Sequence, residues 1–186
     1  MMRRLKIAGC VLFGLTLLAS AVMLSSPIGR ALFVYAPAPA EVAVPVAGVE
    51  PLSLTSSWGA PRSEHRHHEG IDIFAPRGTP VLAATAGEVF KVGQNRLGGN
   101  VVWVAGEGMS LYYYAHLSRF AEGLGPGQRV ARGTVLGYVG NTGNAAKTPP
   151  HLHFGMYPAT HAFRAVDPTP LLRGRGRMAQ LEGRTT

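Results

Sequence analysis

Residues 148–157 read TPPHLHFGMY, and their decisive feature is a pair of histidines two apart in a stretch with the composition of a strand. Successive side chains of a strand point to opposite faces. His151 and His153 therefore share one face, while Leu152 and Phe154 share the other. A face lined with imidazoles is a solvated sheet surface, a pair of metal ligands, or one ligand beside one acid/base group.

Outward from this stretch the chain is built of similar short runs. GIDIFAP, TPVLAAT, GEVFKVG, NVVWVAG, SLYYYAHL and RVARGTVLGYVG are each apolar or alternating, with Gly, Pro and Asn at or near their ends. LSLTSSWGAP, ahead of them, predicts a short strand and a turn. Runs of about five to six residues punctuated in this way predict a mainly β fold, a small antiparallel sandwich or barrel-like domain. No long segment has the 3.6-residue period of an amphipathic helix, and AVDPTPLL closes the domain near residue 170.

The 186 residues leave room for one ordinary domain and its extensions. Their net charge of +8 is unevenly placed: residues 1–30 carry +4, residues 171–186 carry +3 and residues 31–170 only +1. Nucleic-acid readers carry their charge as a patch on the folded domain, so no nucleic-acid partner is expected. The arginines of RGRGR read as a solvated tail.

At the start, MMRRLK precedes IAGCVLFGLTLLASAVML, a stretch of 18 uncharged residues, about the length that spans a bilayer. Basic residues ahead of it are retained in the cytoplasm, which places the rest of the chain outside. Residues 1–29 are thus expected to be one membrane or signal helix, either cleaved near Ala19-Ser20-Ala21 or kept as an anchor. Residues 30–51 form an Ala/Pro-rich linker, 52–170 the exported domain and 171–186 the basic tail. The expected location is the cell envelope, in the periplasm or on the outer face of the cytoplasmic membrane. Cys10, the only cysteine, lies in the apolar segment. A metal in the exported domain would therefore rely on His, Asp or Glu.

His68 and Asp72 stand four apart in HHEGIDIFAP. In an extended strand their Cα atoms would be about 13 Å apart, too far for easy sharing of one ion, and Gly70 between them is expected to supply a bend. Same-face neighbours in HLHF are separated by about 6.6 Å, close enough for both imidazoles to approach one ion. His68, Asp72 and one histidine of HLH would give three ligands and an open fourth position, the arrangement of catalytic zinc. The other histidine of HLH, with His116 of YYYAHL, would be left for proton transfer or for steadying an oxyanion.

HEGIDIFAPRGTPVLAATAGEVFKVG, YYYAHLS, GQRVARGTVLGYVGNTG and PHLHF, in this order and spacing, resemble the lysostaphin-like zinc endopeptidases of bacterial cell walls, peptidase family M23. The resemblance covers roughly residues 52–170. It implies a small antiparallel β domain with one Zn2+ in a groove, held by His68, Asp72 and His153, with His116 and His151 as the active-site histidines. It also implies metal-assisted hydrolysis of peptidoglycan stem or cross-link peptides. His151 is then the expected general base and His116 the transition-state stabiliser, although the sequence allows the roles to be exchanged. Familiar members often have Gly before the HLH region and Glu after HLHF, whereas here AAKTPP precedes His151 and Gly155 follows Phe154. These changes bear on the groove wall, hence on substrate preference.

Two other classes compete. One is a non-catalytic wall-binding or hydrolase-activating module of the same fold, which typically lacks zinc ligands. The other is a carrier domain, which would need an exposed lysine hairpin that Lys91 does not supply. Among the remaining residues, His65, His67 and His161 read as non-ligands, Asp167 as a turn residue before proline, and Trp58 and Trp103 as packing. Tyr112 and Tyr114 are expected to line the groove with His116, and Tyr113 to pack on the opposite face.

Overall fold

A computed structural model describes residues 42–174. The segment expected to be a membrane or signal helix and most of the basic tail lie outside the described residues; among the described residues no helix is long and apolar enough to cross a membrane. Among the described residues nine strands run β1 (Ile71–Phe74), β2 (Pro80–Leu82), β3 (Gly87–Asn95), β4 (Gly99–Gly106), β5 (Ser110–Leu117), β6 (Arg119–Phe120), β7 (Arg129–Val130), β8 (Val135–Tyr138) and β9 (His151–Pro158), followed by an α-helical turn, α1 (Thr169–Leu172). The expected mainly β, antiparallel domain is observed: one sheet has the order β1-β9-β5-β4-β3-β7 and the other β2-β8-β6, and every pairing is antiparallel.

Alternation along the large sheet divides it into two faces. Ile71, Ile73, Val102, Val104, Tyr112, Tyr114, Leu152 and Phe154 are buried in one cluster with Val81 and Leu136 of the small sheet. The opposite face carries Trp103, Tyr113, His153 and Tyr157, which line a groove. Tyr112 and Tyr114 are fully buried in the core, so the expected placement of the three tyrosines is reversed. Tyr114 is held there by a hydrogen bond from the Ala84 N–H to its hydroxyl at 2.9 Å, the kind of partner that a buried phenol requires. Trp103, expected to be packing, is part of the groove lining.

Two boundaries differ from expectation. Residues 42–51 belong to the folded unit rather than to a spacer, because Val42 and Val46 are core residues. The Ala43 and Ala47 N–H groups donate to the carbonyls of Ala84 and Pro80, and Leu82 N–H donates to Pro45. A segment that completes hydrogen bonds along β2 while burying two valines is held like an irregular edge strand. At the other end Leu172 is buried, so the domain continues past residue 170. The strand predicted at LSLTSSWGAP is replaced by a 3-10 turn at Pro51–Ser53 and irregular chain, with consequences for the site described below.

The core role of Val46 sets an expectation. Val46→Ala removes two buried methyl groups at about 0.8 kcal/mol each, with a further cavity cost. Denaturant titration should give a loss of about 2 kcal/mol, whereas a spacer residue would show none.

Candidate metal centre and groove

β1 and β9 pair in a register that sets Asp72 opposite His153 and Phe74 opposite His151. His68 enters from the loop before β1. The three potential ligand atoms form a compact triangle: His68 Nε2 is 2.8 Å from His153 Nδ1 and 3.0 Å from Asp72 Oδ1, and His153 Nδ1 is 3.2 Å from the same oxygen. Bonds of about 2.0–2.2 Å to a tetrahedral ion place donors roughly 3.4 Å apart, close to this spacing. His68, Asp72 and His153 are the grouping of His, Cys, Asp and Glu side chains that could hold a metal ion among the described residues.

The main chain fixes the orientation of these rings. His68 donates from Nδ1 to the Ser57 carbonyl at 2.7 Å, which leaves a lone pair on Nε2 at the triangle. Ser57 also supports the Asp72 carboxylate, because the Asp72 N–H donates to its hydroxyl at 3.1 Å. Hydrogen-bonded supports of this kind fix the tautomer and direction of metal ligands. The segment expected to be a strand is thus the buttress of two of the three potential ligands. Gly70 acts differently from expectation too. Its φ lies outside the left-handed region, and a Cβ there would come within 2.5 Å of the Phe154 carbonyl oxygen and 2.9 Å of His153 Cε1. The bend between His68 and Asp72 depends on close approach to β9 rather than on an unusual backbone angle.

His116 and His151 stand beside the triangle, with ring centroids 4.9 Å apart; His116 is 6.0 Å from the His153 ring. Each donates from Nδ1 to a carbonyl, His116 to Thr142 at 2.8 Å and His151 to Pro149 at 2.9 Å. Both rings consequently keep Nε2 available, and that of His151 lies 3.8 Å from Asp72 Oδ1.

Simple alternation would send His116 into the core with Tyr112 and Tyr114. It is diverted by an irregularity in the β4–β5 register and by its own left-handed backbone, φ 65. Its N–H donates to Gly98 at 2.7 Å. A bulge with a non-glycine residue in this region costs about 1–2 kcal/mol and re-aims one side chain, so that Ala115 and His116 both line the groove while Leu117 returns to the core. The carbonyl that receives His116 is placed by a contact between two turns. Gly99 and Gly143 have φ of 64 and 68, and a Cβ on either would come within 2.4 Å of the other's backbone nitrogen.

Burial raises the Asp72 carboxyl, but hydrogen bonds with His153 and His68 outweigh it and hold the group well below the usual carboxylate range. Arg62 pairs with the second oxygen, Oδ2. Burial pushes His116 down to about 4, against the opposing hydrogen bond to Thr142, and lowers His153 in the same direction. His116 is therefore neutral at pH 7.

The groove has a volume of about 840 Å3. His67 lies on its wall, but neither it nor His65 nor His161 joins the triangle. Asp167 accepts the Thr169 N–H at 2.9 Å, the turn role read for it from sequence. Arg62, Ser57 and Tyr113 were missed as site residues. Only the parity of Tyr113 with Ala115 could have pointed to it, and that signal was obscured by the bulge.

The model of Peptidase family M23 matches residues 66–168. The chain belongs to this family. An L-Ala–D-Glu endopeptidase of Bacillus subtilis is 42% identical over 129 residues, which is 65% of this chain and 40% of that protein's length. The chain therefore spans less than half of that M23 relative. Among solved M23 structures, the catalytic domain of the antimicrobial peptidase lysostaphin from Staphylococcus simulans superposes with a TM-score of 0.57 at 28% identity, covering 66% of this chain and 95% of that domain. A zinc containing peptidase from Vibrio cholerae gives 0.54 at 26% identity, covering 74% of this chain and 39% of that one.

The neutral state of His116 makes the metal-free M23 domain sensitive to acid. An imidazole in the unfolded chain takes up its proton near pH 6.5, whereas folded His116 stays neutral until about 4. Between these values the unfolded state binds more protons, so stability rises with pH across the window and is lost as pH falls through it. Thermal melts of chelator-treated protein should show Tm falling from pH 6.5 to pH 4. His116→Asn, which tolerates the left-handed backbone, should flatten that slope; an equal slope in both proteins would contradict the assignment.

Proposed function

We propose that this chain is a zinc-dependent endopeptidase that hydrolyses peptide bonds in peptidoglycan stem or cross-link peptides. The observation that carries the reading is the convergence of His68, Asp72 and His153 on one point, with the Nε2 atoms of His116 and His151 left available beside it. Family membership supports hydrolysis, and the relatives' peptidase chemistry and zinc content support the metal. Two imidazole nitrogens and one carboxylate oxygen fit a four-coordinate zinc site that leaves one position for substrate or water.

A zinc ion at this position would supply Lewis acidity, making water nucleophilic near neutral pH. The protein's own groups do the remaining work. His151 is the proposed general base: its Nδ1 hydrogen is committed to Pro149, so Nε2 is the basic atom, and that atom faces the ligand cluster. His116 is the proposed donor to the developing oxyanion. With its Nδ1 hydrogen committed to Thr142, Nε2 holds a lone pair at rest and would become a donor on receiving the proton that the adjacent His151 takes from water, the two rings lying 4.9 Å apart between centroids. Asp72 is unsuited to the base role because one oxygen faces the triangle and the other is paired with Arg62. The N-terminal apolar segment is proposed to place this activity in the cell envelope, tethered to or exported across the cytoplasmic membrane.

Digestion of purified sacculi, with mass identification of the released fragments, tests the reading. Chelator should abolish peptide release and zinc should restore it. His153→Ala should lose stoichiometric zinc. His151→Ala should retain zinc while activity drops by roughly 10²–10⁴. Release of peptide fragments that is indifferent to chelator would refute the assignment.

A further inference from the structure

Three arginines, Arg62, Arg66 and Arg96, line the groove, and they are not equivalent. Arg62 is engaged by Asp72. Arg66 and Arg96 converge instead on one carboxylate of the chain itself, that of Glu64. Nη1 and Nη2 of Arg96 each lie 3.2 Å from a different Glu64 oxygen, and Arg66 Nε lies 3.6 Å from Oε2.

Glu64 is brought there by a tight turn. Arg62 N–H donates to the Arg66 carbonyl at 2.9 Å, and the two residues at the tip, Glu64 and His65, both have left-handed backbones with φ of 62 and 54. Consecutive non-glycine residues in that region are uncommon, and the strain here presents one carboxylate to two guanidinium groups. The fork-to-fork geometry of Arg96 is the one by which arginine recognises any carboxylate. The Nε of Arg66 is buried and makes no hydrogen bond, so Glu64 leaves this second donor unsatisfied. Glu64 and Arg96 are both exposed, and an ion pair in that setting is weak and readily exchanged. Beyond the ligand cluster the groove wall carries an aromatic patch, in which the Trp103 ring lies tilted 4.4 Å from Tyr113 and 5.3 Å from Tyr157 between centroids, beside polar lining residues that include Glu69 and Asn144. Gly155 leaves the space over which the Tyr157 ring lies, since a Cβ there would meet that ring at 2.9 Å.

We propose that Arg66 and Arg96 form a clamp for a carboxylate on the peptide lying in the groove, and that Glu64 occupies this clamp until the substrate displaces it. The inference rests on the peptidase reading of the site and narrows its substrate class. The preferred peptide carries a free acidic group near the bond that is cut, in contrast to an uncharged glycine bridge.

The test uses the zinc-loaded full chain and two synthetic peptides, L-Ala–D-Glu–L-Lys–D-Ala with a free α-carboxylate on the D-Glu and the same peptide with that group amidated. Equilibrium binding and cleavage are measured for both. The acidic peptide should bind about 10-fold more tightly than its amide, and the preference should shrink as salt rises. Arg96→Gln or Arg66→Gln should bring the ratio close to one, and Glu64→Gln should tighten binding of the acidic peptide several-fold by removing the internal competitor. Equal affinities in the unsubstituted protein, weaker acid binding in Glu64→Gln, or binding of neither peptide would overturn the clamp. Cleavage without acid preference removes the clamp alone; acid-selective binding with no peptide released from this substrate or from sacculi removes the peptidase reading and leaves the clamp standing.

Discussion

The site depends on backbone carbonyls that hold imidazoles by Nδ1. Ser57, Thr142 and Pro149 each accept one such hydrogen bond, from His68, His116 and His151. In each ring this commits one nitrogen to the protein and leaves the other for chemistry. Histidine can turn about two side-chain bonds and exchange tautomers; a carbonyl within 2.7–2.9 Å removes both freedoms. His153 is the exception, presenting Nδ1 itself to the cluster. The sheet supplies only the coarse spacing, and the loops that carry these three carbonyls supply the aim.

The same division explains what could be read from the residues alone. The strands, their antiparallel pairing and the shared face of His151 and His153 follow from period-two patterning and turn residues. The placing of His68 and Asp72 together follows from their spacing around Gly70, although the physical reason is steric closeness to Phe154 and His153. The position of His116 could not be deduced in this way. Strict alternation assigns it to the core, and nothing in YYYAHL announces a bulge one residue earlier. The faces of Tyr112, Tyr113 and Tyr114 are hidden for the same reason, because alternation counted back from His116 assigns each of them to the wrong side. Ser57 and the 42–49 segment are hidden for another reason: a buttressing loop and an irregular edge are defined by what they touch, while composition alone reads the first as a short strand and turn and the second as a linker.

Arg62 completes the electrostatic arrangement. Asp72 faces imidazoles with one oxygen and a guanidinium with the other, so its negative charge is fully engaged and its conformation is held from both sides. The carboxylate is a positioned anion, while burial keeps the neighbouring His116 ring neutral. An acid held ionised and an imidazole held uncharged are thereby kept within one groove.

The two faces of the large sheet have different obligations. The chain enters the domain along β2, in the small sheet that covers the inner face, whereas the aromatic residues and histidines of the groove occupy the outer face. Attachment through the amino-terminal side therefore approaches from behind. In an immobilised or fused form, the domain would hold its cleft toward the medium, free to meet a polymer too large to pass around it.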